Sequence, residues 1–331
     1  MQQEYNYTPL PEPIPITEQV WPEGTLPLVS ICSITYNHES YIKECLEGFL
    51  MQKTTFPVEI IINDDASTDK TAAIIKEYEV KYPNLFKPIY QIENQYSKKQ
   101  GSIFARFVYP KAKGKYIALC EGDDYWIDPL KLQKQVDFLE ANLEYSACTH
   151  RNKVLKKGVL GWSKSIDIKN TLTVYDLVWN IPFQTATIVY RKSALIIPPN
   201  IFSSITDTTT FMLLANHGNI YFINEYMSVY RIHEGGVWSG ITPFERIEIR
   251  KKFQLERVEY FNNRNLHVAK ALKYKLSKDY IDTTCLCLQR GEIKNSGICL
   301  YKSFRYSYGN AQIIRLFQII KLILKKITKK K

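Results

Sequence analysis

Residues 116–129 read YIALCEGDDYWIDP, and this stretch sets how the rest of the chain is understood. Tyr116 to Cys120 form an apolar run of strand length, and Glu121, Asp123 and Asp124 follow at once with Gly122 among them. Three carboxylates within four residues repel one another, so a fold that gathers them at the end of a buried strand ordinarily offsets the repulsion with a cation. A hard divalent ion is the natural candidate. A plain strand-to-helix turn, with Asp128 as N-cap and Pro129 at the first helical position, accounts for those two residues. It leaves Glu121, Asp123 and Asp124 unexplained.

Outward from this stretch, strands and helices alternate. Leu28 to Ile34 is apolar apart from Ser30 and Ser33, as expected for a central strand covered on both faces, and it ends in Thr35-Tyr36-Asn37-His38. Ile42, Cys45, Leu46, Phe49 and Leu50 then recur at helical spacing. Val58 to Ile62 reads as a second strand and runs into Asn63-Asp64-Asp65-Ala66-Ser67-Thr68-Asp69. A helix is expected from Thr68 to Tyr82, a third strand from Phe86 to Ile92, and another helix over 100–112 ahead of the central strand. This alternation predicts an α/β fold with a Rossmann-like, largely parallel, doubly wound sheet. Such sheets bind ligands at the carboxyl ends of their strands, where Tyr36, Asp65 and Asp123 all fall. Neither GxGxxG nor a P-loop pattern occurs, which argues against a dinucleotide fingerprint and a Walker site.

Composition narrows the class. At 331 residues and 45% apolar content the chain can bury a substantial core. Its seven cysteines include no CxxC pair and mostly lie in apolar runs, which points to a reducing compartment without disulfides or structural zinc. The first 42 residues hold no Lys or Arg and no long apolar run, so neither a signal peptide nor a membrane span is expected there. The net charge of +11 is concentrated: residues 293–331 carry ten Lys or Arg and no acid, leaving 34 basic against 33 acidic residues in the body. A charged groove interleaved with aromatics, as nucleic acid would require, is not expected.

TYN at 35–37, NDDASTD at 63–69, EGDDYW at 121–126 and YRIHEGGVWS at 230–239 together resemble the family 2 glycosyltransferases of GT-A fold, over roughly residues 27–240. The resemblance implies a nucleotide-sugar donor, most simply a UDP-sugar, bound through its diphosphate to Mg or Mn. Tyr36 would lie on or beside the base, with Thr35 and Asn37 shaping the strand end, and Asp65 would accept a hydrogen bond from the base edge. Asp64 and Ser67 read equally well as turn and cap residues. Glu121-Gly122-Asp123 stands where the family carries DxD, with Glu replacing the first Asp. Asp123, Asp124 and His233 are the implied metal ligands. Asp207, in TDTTTFMLLANHG, matches the acid that serves as catalytic base, although Thr206 replaces the residue usually before it. An ordinary helix N-cap is the competing reading for Asp207.

Three segments follow: a proline-rich arm over 1–27 with six of the fifteen prolines, a glycosyltransferase domain over 28–240, and a helical C-terminal region over 241–331. Within the domain, Trp179 is expected in the core, and Trp162 and Trp238 are acceptor candidates. Ile313, Leu316, Phe317, Ile320, Ile323, Leu324 and Ile327 share one helical face, and Lys or Arg occupy the other. Such a basic amphipathic helix is expected to lie on an anionic membrane at the cytoplasmic face, where a glycan or lipid-linked glycan acceptor would be met. Two other classes remain open: a sugar nucleotidyltransferase, whose basic Gly-rich loop is missing from 33–44, and an inactive nucleotide-sugar or glycan-binding protein of the same fold.

Overall fold

The structure, a computed structural model, describes residues 6–98, 100–163, 168–198, 206–234, 236 and 241–306. It divides into two units, Met1–Gly236 and Val237–Lys331.

In the first unit the proline-rich arm is laid down in order. Ile14–Pro15 (β1) pairs antiparallel with Lys53–Thr54 (β3), Gln19 Nε2 donates to the Thr54 carbonyl at 2.7 Å, and Ile16 is buried in the core. Pro15 lacks an N–H, so this short pair stays off the main sheet.

The main sheet is built on Val29–Thr35 (β2), which leads into the helix Ile42–Leu50 (α1). Val58–Asp64 (β4) leads into Thr71–Lys81 (α2), and Ile89–Tyr90 (β5) follows. Tyr116–Leu119 (β6) is the strand that feeds the acidic turn, Tyr125–Trp126 (β7) follows that turn, and Lys131–Ala141 (α3) comes next. β5, β4, β2 and β6 are adjacent and parallel, with Val29 opposite both Val58 and Tyr116. Parallel pairing buries both faces, which explains the unbroken apolar runs: Val29, Ile31, Ile60, Ile62, Tyr116 and Ala118 are all inaccessible. The buried serine Ser30 is satisfied at the lower end of the sheet, donating to Glu59 and accepting from the Gly114 N–H at 2.8 Å.

Beyond β6 the sheet continues through Tyr145–Lys156 (β8), Val159–Trp162 (β9), Thr171–Leu172 (β10), the helix Val174–Trp179 (α4), Val189–Arg191 (β11), the helix Asp207–His217 (α5) and Asn219–Ile232 (β12). β11 lies antiparallel between β6 and β8, and the long strand β12 runs parallel to β8. β5, β4, β2, β6, β8 and β12 therefore run in one direction, with β11 reversed at the centre and the short strands β7, β9 and β10 pairing antiparallel beside β8 and β12. The resulting fold is the expected α/β GT-A arrangement.

Three local expectations are corrected. Residues 100–112 form a single π-type turn over Phe104–Val108, closed by Tyr109 N–H to the Phe104 carbonyl at 2.8 Å, because Gly101 (φ 95°) and Pro110 bound it too closely for a longer helix. The helix after the acidic turn starts at Lys131; Asp128 Oδ1 instead accepts the Leu130 N–H at 2.8 Å and caps the preceding turn. Trp179 ends α4 with 40% of its surface exposed, so it is not core.

The second unit is helical: Pro243–Asn262 (α6), Leu266–Gln289 (α7) and Ile293–Arg305 (α8). α6 opens with a Thr242–Glu245 capping box and Pro243 in the first turn, and Asn265 caps α7. The amphipathic stretch over 311–331 and Trp238 lie outside the described residues.

Candidate active site

The ends of β2, β4 and β6 meet in one place, and short loops hold them there. Asn37 takes a left-handed conformation (φ 53°); its side-chain oxygen accepts the Thr68 N–H at 2.8 Å and its own N–H donates to Ser67 Oγ at 2.9 Å. Asp64 accepts both the Ser67 N–H, at 3.1 Å, and the Ser67 hydroxyl, which makes these two residues an Asx-type turn. Asp65 is buried and its oxygens accept the N–H groups of Gln95 (2.8 Å) and Tyr96 (3.0 Å). It fixes the 94–96 loop and has only its remaining lone pairs to offer a base edge. Tyr36 is 42% exposed, and Thr35 before it is buried.

The acidic turn packs directly on that strand end. The Gly122 N–H donates to the Ile34 carbonyl at 2.9 Å, and a Cβ at 122 would lie 2.6 Å from Thr35 Oγ1 and 2.7 Å from Thr35 Cβ. Glycine is therefore required between Glu121 and Asp123 by close approach. The turn is clamped from the other side by the end of β12. Arg231 donates its backbone N–H to Asp124 Oδ1 and its Nε to the Asp123 carbonyl, both at 2.8 Å, while its far nitrogen pairs with Glu44 on α1. Its guanidinium lies 4.7 Å from the Tyr41 ring centre and 5.3 Å from that of Tyr125.

Asp123 Oδ2 receives two imidazoles, His233 Nε2 at 3.0 Å and His38 Nε2 at 4.0 Å. The three donor atoms all lie within 4.8 Å of one another, a spacing and chemistry that a divalent ion fits. Asp124 is outside this cluster, because its carboxylate is buried against the Arg231 backbone. His38 was not singled out by sequence reasoning. Its only signal there is that it directly follows the TYN end of β2.

Charge separates the acids. Burial works to raise the Asp123 carboxyl, but the His233 hydrogen bond and the charge of His38 outweigh it and hold Asp123 below the usual range. Burial and then Asp123 push Asp124 well up. Burial followed by the charges of Asp207, Asp124 and Asp123 raises Glu121 well above the usual carboxylate range. Burial lowers His38. Tyr230 on β12 is pushed up to about 12 by burial and then by the charges of Asp124, Asp123, Glu121 and Asp207, so its hydroxyl stays protonated.

Asp207 belongs to the same electrostatic site. The N-terminus of α5 is capped by Thr206, whose Oγ1 accepts the Thr209 N–H at 3.3 Å, and Asp207 stands at the first helical position. The nearby Thr185 hydroxyl favours its charged form, while the protein packed around it raises its pKa although the residue keeps exposed surface. Elsewhere on the first unit Trp162, 67% exposed, packs edge-on against Tyr226 at 4.8 Å with Lys153 Nζ 5.0 Å from its ring centre. Phe183 is core, against Phe211 at 4.9 Å.

These features define a class. The profile of the family described as Glycosyl transferase family 2 matches residues 30–197, and the chain belongs to that family. It is 42% identical over 216 residues to an uncharacterized protein of Mycobacterium tuberculosis, covering 63% of this chain and 60% of that one. The chain thus spans about 60% of the length of that relative. It is 30% identical over 217 residues to a putative teichuronic acid biosynthesis glycosyltransferase, TuaG, of Bacillus subtilis, covering 65% of this chain and 82% of the relative. Among solved structures, S. aureus TarS in complex with UDP-GlcNAc shares the fold at TM-score 0.55 and 16% identity, covering 85% of this chain and 93% of that chain. A mannosyltransferase from Pyrobaculum calidifontis in complex with GDP-Man and Mn2+ does so at TM-score 0.53 and 14% identity, covering 100% and 92%.

Proposed function

We propose that this chain is a metal-dependent, inverting glycosyltransferase that moves a sugar from a nucleotide-sugar donor, a UDP-sugar, to a glycan or lipid-linked glycan acceptor. The observation that carries the reading is that Asp207, freed from capping by Thr206, shares one electrostatic site with Glu121, Asp123 and Asp124 at the carboxyl ends of the parallel strands. Tyr36 and the Asn37 turn would receive the base, and the acidic turn the ribose and diphosphate. A divalent ion, Mg or Mn, held by Asp123 with His233 would offset the charge that develops on the departing nucleoside diphosphate.

The protein's own groups do the rest. Asp207 would accept the proton of the acceptor hydroxyl as that oxygen bonds to the anomeric carbon and the bond from that carbon to the diphosphate oxygen breaks. One base opposite one leaving group gives a single displacement and inversion. The Thr185 hydroxyl would favour the charged form of that base, and Arg231 holds the acidic turn. Exposed Trp162 and the protonated Tyr230 are the candidates to stack on and hydrogen-bond an acceptor sugar. The neighbours of like fold hold UDP-GlcNAc and GDP-Man, which supports a nucleotide sugar as the donor class. Peripheral association with the cytoplasmic face of a membrane is proposed from the basic amphipathic pattern of 311–331.

A panel of UDP- and GDP-sugars, tested for divalent-dependent binding and slow hydrolysis, checks the reading. Saturable binding of one nucleotide family that is lost in chelator is expected. No binding across the panel, with the protein folded, would overturn it.

A further inference from the structure

We propose that His38 completes the ion site with Asp123 and His233, and that this two-imidazole, one-carboxylate set selects a first-row transition ion such as Mn2+ or Co2+ over Mg2+. The inference rests on the metal dependence proposed above and assigns a ligand and a selectivity to it. Two imidazole nitrogens converge on the same carboxylate oxygen, at 3.0 Å from His233 and 4.0 Å from His38. The second distance is too long for a hydrogen bond. Two donors sharing one ion at about 2.1 Å stand about 3 Å apart when adjacent and about 4 Å apart when opposed, so the hydrogen-bonded His233–Asp123 pair and the longer His38–Asp123 approach both match the spacing an ion would need.

His38 is brought there by its neighbours in the chain. The left-handed Asn37 turns the chain at the end of β2, and the His38 N–H is then fixed by Thr71 Oγ1 at 2.8 Å. The three rings of His38, Tyr41 and His233 pack on one another, with Tyr41 and His233 at 4.6 Å and the two histidines at 6.1 Å. Nδ1 of His38 is buried with no hydrogen-bond partner among the described residues, so Nε2, aimed at Asp123, is the atom that gives the ring a polar role. A histidine kept only for packing at this position would leave both nitrogens unused.

The donor set decides the ion. Mg2+ takes oxygen ligands and dehydrates reluctantly, whereas imidazole suits later first-row ions, whose affinity rises along the series from Mn2+ to Co2+. Asp124 is not among the donors that converge here, and its Oδ1 accepts the Arg231 N–H at 2.8 Å.

The test is direct ion binding to the full chain without donor. Mn2+, Co2+ and Mg2+ are titrated by calorimetry into the wild type, His38→Ala, His38→Gln and Asp123→Asn, and bound Mn2+ is read by electron spin-echo envelope modulation for nitrogen coupling. The wild type should prefer Mn2+ and Co2+ over Mg2+ and show two coupled imidazoles. Both His38 variants should lose one of them and about tenfold or more in Mn2+ and Co2+ affinity, with Mg2+ affinity little changed. Circular dichroism of the two variants separates ligand loss from misfolding. If Asp123→Asn abolishes binding while the His38 variants bind Mn2+ like wild type, the His38 assignment is wrong and the metal dependence stands. If the wild type binds no ion even with nucleotide sugar added, both fall.

Discussion

Thr206 caps α5 and Asp207 does not: the Thr206 hydroxyl oxygen takes the Thr209 N–H, and the Asp207 carboxylate is left to the electrostatics of its surroundings, where the Thr185 hydroxyl favours its charged form. An acid at a helix start is ordinarily explained by the backbone groups it satisfies. Here a neighbour meets that need, and the charge of the acid bears on Glu121.

This arrangement sets a pH dependence. Burial raises the Asp207 pKa, and the Thr185 hydrogen bond to its charged form opposes that rise. The acidic limb of kcat should therefore fall above the ordinary carboxylate range, since the base must be deprotonated to act. Thr185→Val removes the opposing bond and should move that limb to higher pH. A pH–rate profile of wild type and variant decides it, and a limb that moves down or stays in place contradicts the arrangement.

Gly122→Ala should damage the site through packing alone. The new Cβ meets Thr35 at 2.6–2.7 Å, and relief requires shifting either β2 or the acidic turn. Overpacking of this kind costs about 1–3 kcal/mol. The expected result is a lower Tm together with a donor affinity reduced more than fivefold. Donor titration and thermal unfolding would both have to be unchanged for the close approach to be mistaken.

The sheet and the acidic turn were legible because their physics is local. Buried parallel strands such as β2 and β4 must be apolar runs, and a Gly among acids at a strand end marks a tight approach. Ligand convergence was less legible. Arg231 reaches Asp123 only because β12 returns beside β8, a pairing between segments more than seventy residues apart that no local pattern encodes, and His38 reaches it through the parallel pairing of β2 with β6. Asp124 was read as a metal ligand from its position in the acidic cluster, and its engagement by the Arg231 N–H depends on that same return. Trp179 followed a helical pattern, but α4 is only six residues long and ends at that tryptophan with its ring partly in solvent.

Lys131 offers a test in the core. Its Nζ is fully buried, donates to Gln135 Oε1 at 2.8 Å and lies 4.1 Å from the Trp126 ring centre. Burial pushes its pKa down to about 7, while the ring face works to keep the charge. A folded-state pKa below the unfolded value means that the unfolded chain holds the proton between about pH 7 and pH 10, so this group's contribution to stability rises with pH across that window. Wild type should gain on Lys131→Met by up to about 1.4 kcal/mol per pH unit there. Denaturant titrations at pH 7, 8, 9 and 10 measure the difference, and one that is flat with pH refutes the assignment.

The basic tail predicts where the protein sits. Each Lys or Arg near an anionic surface adds about 1 kcal/mol, and the apolar face of 311–331 would add to this. Deleting 311–331 should release the protein from anionic vesicles, spare donor hydrolysis and slow transfer to a lipid-linked acceptor. If the intact protein ignores anionic vesicles at low salt, the tail has another role.

The central claim is that Asp207 takes the acceptor's proton, and the variant Asp207→Asn tests it most directly. The substitution keeps size and removes the base, so donor affinity by calorimetry should stay within about twofold while kcat for sugar transfer falls about 10²–10⁴-fold. A kcat close to wild type, or a loss that merely follows the folded fraction, would contradict it.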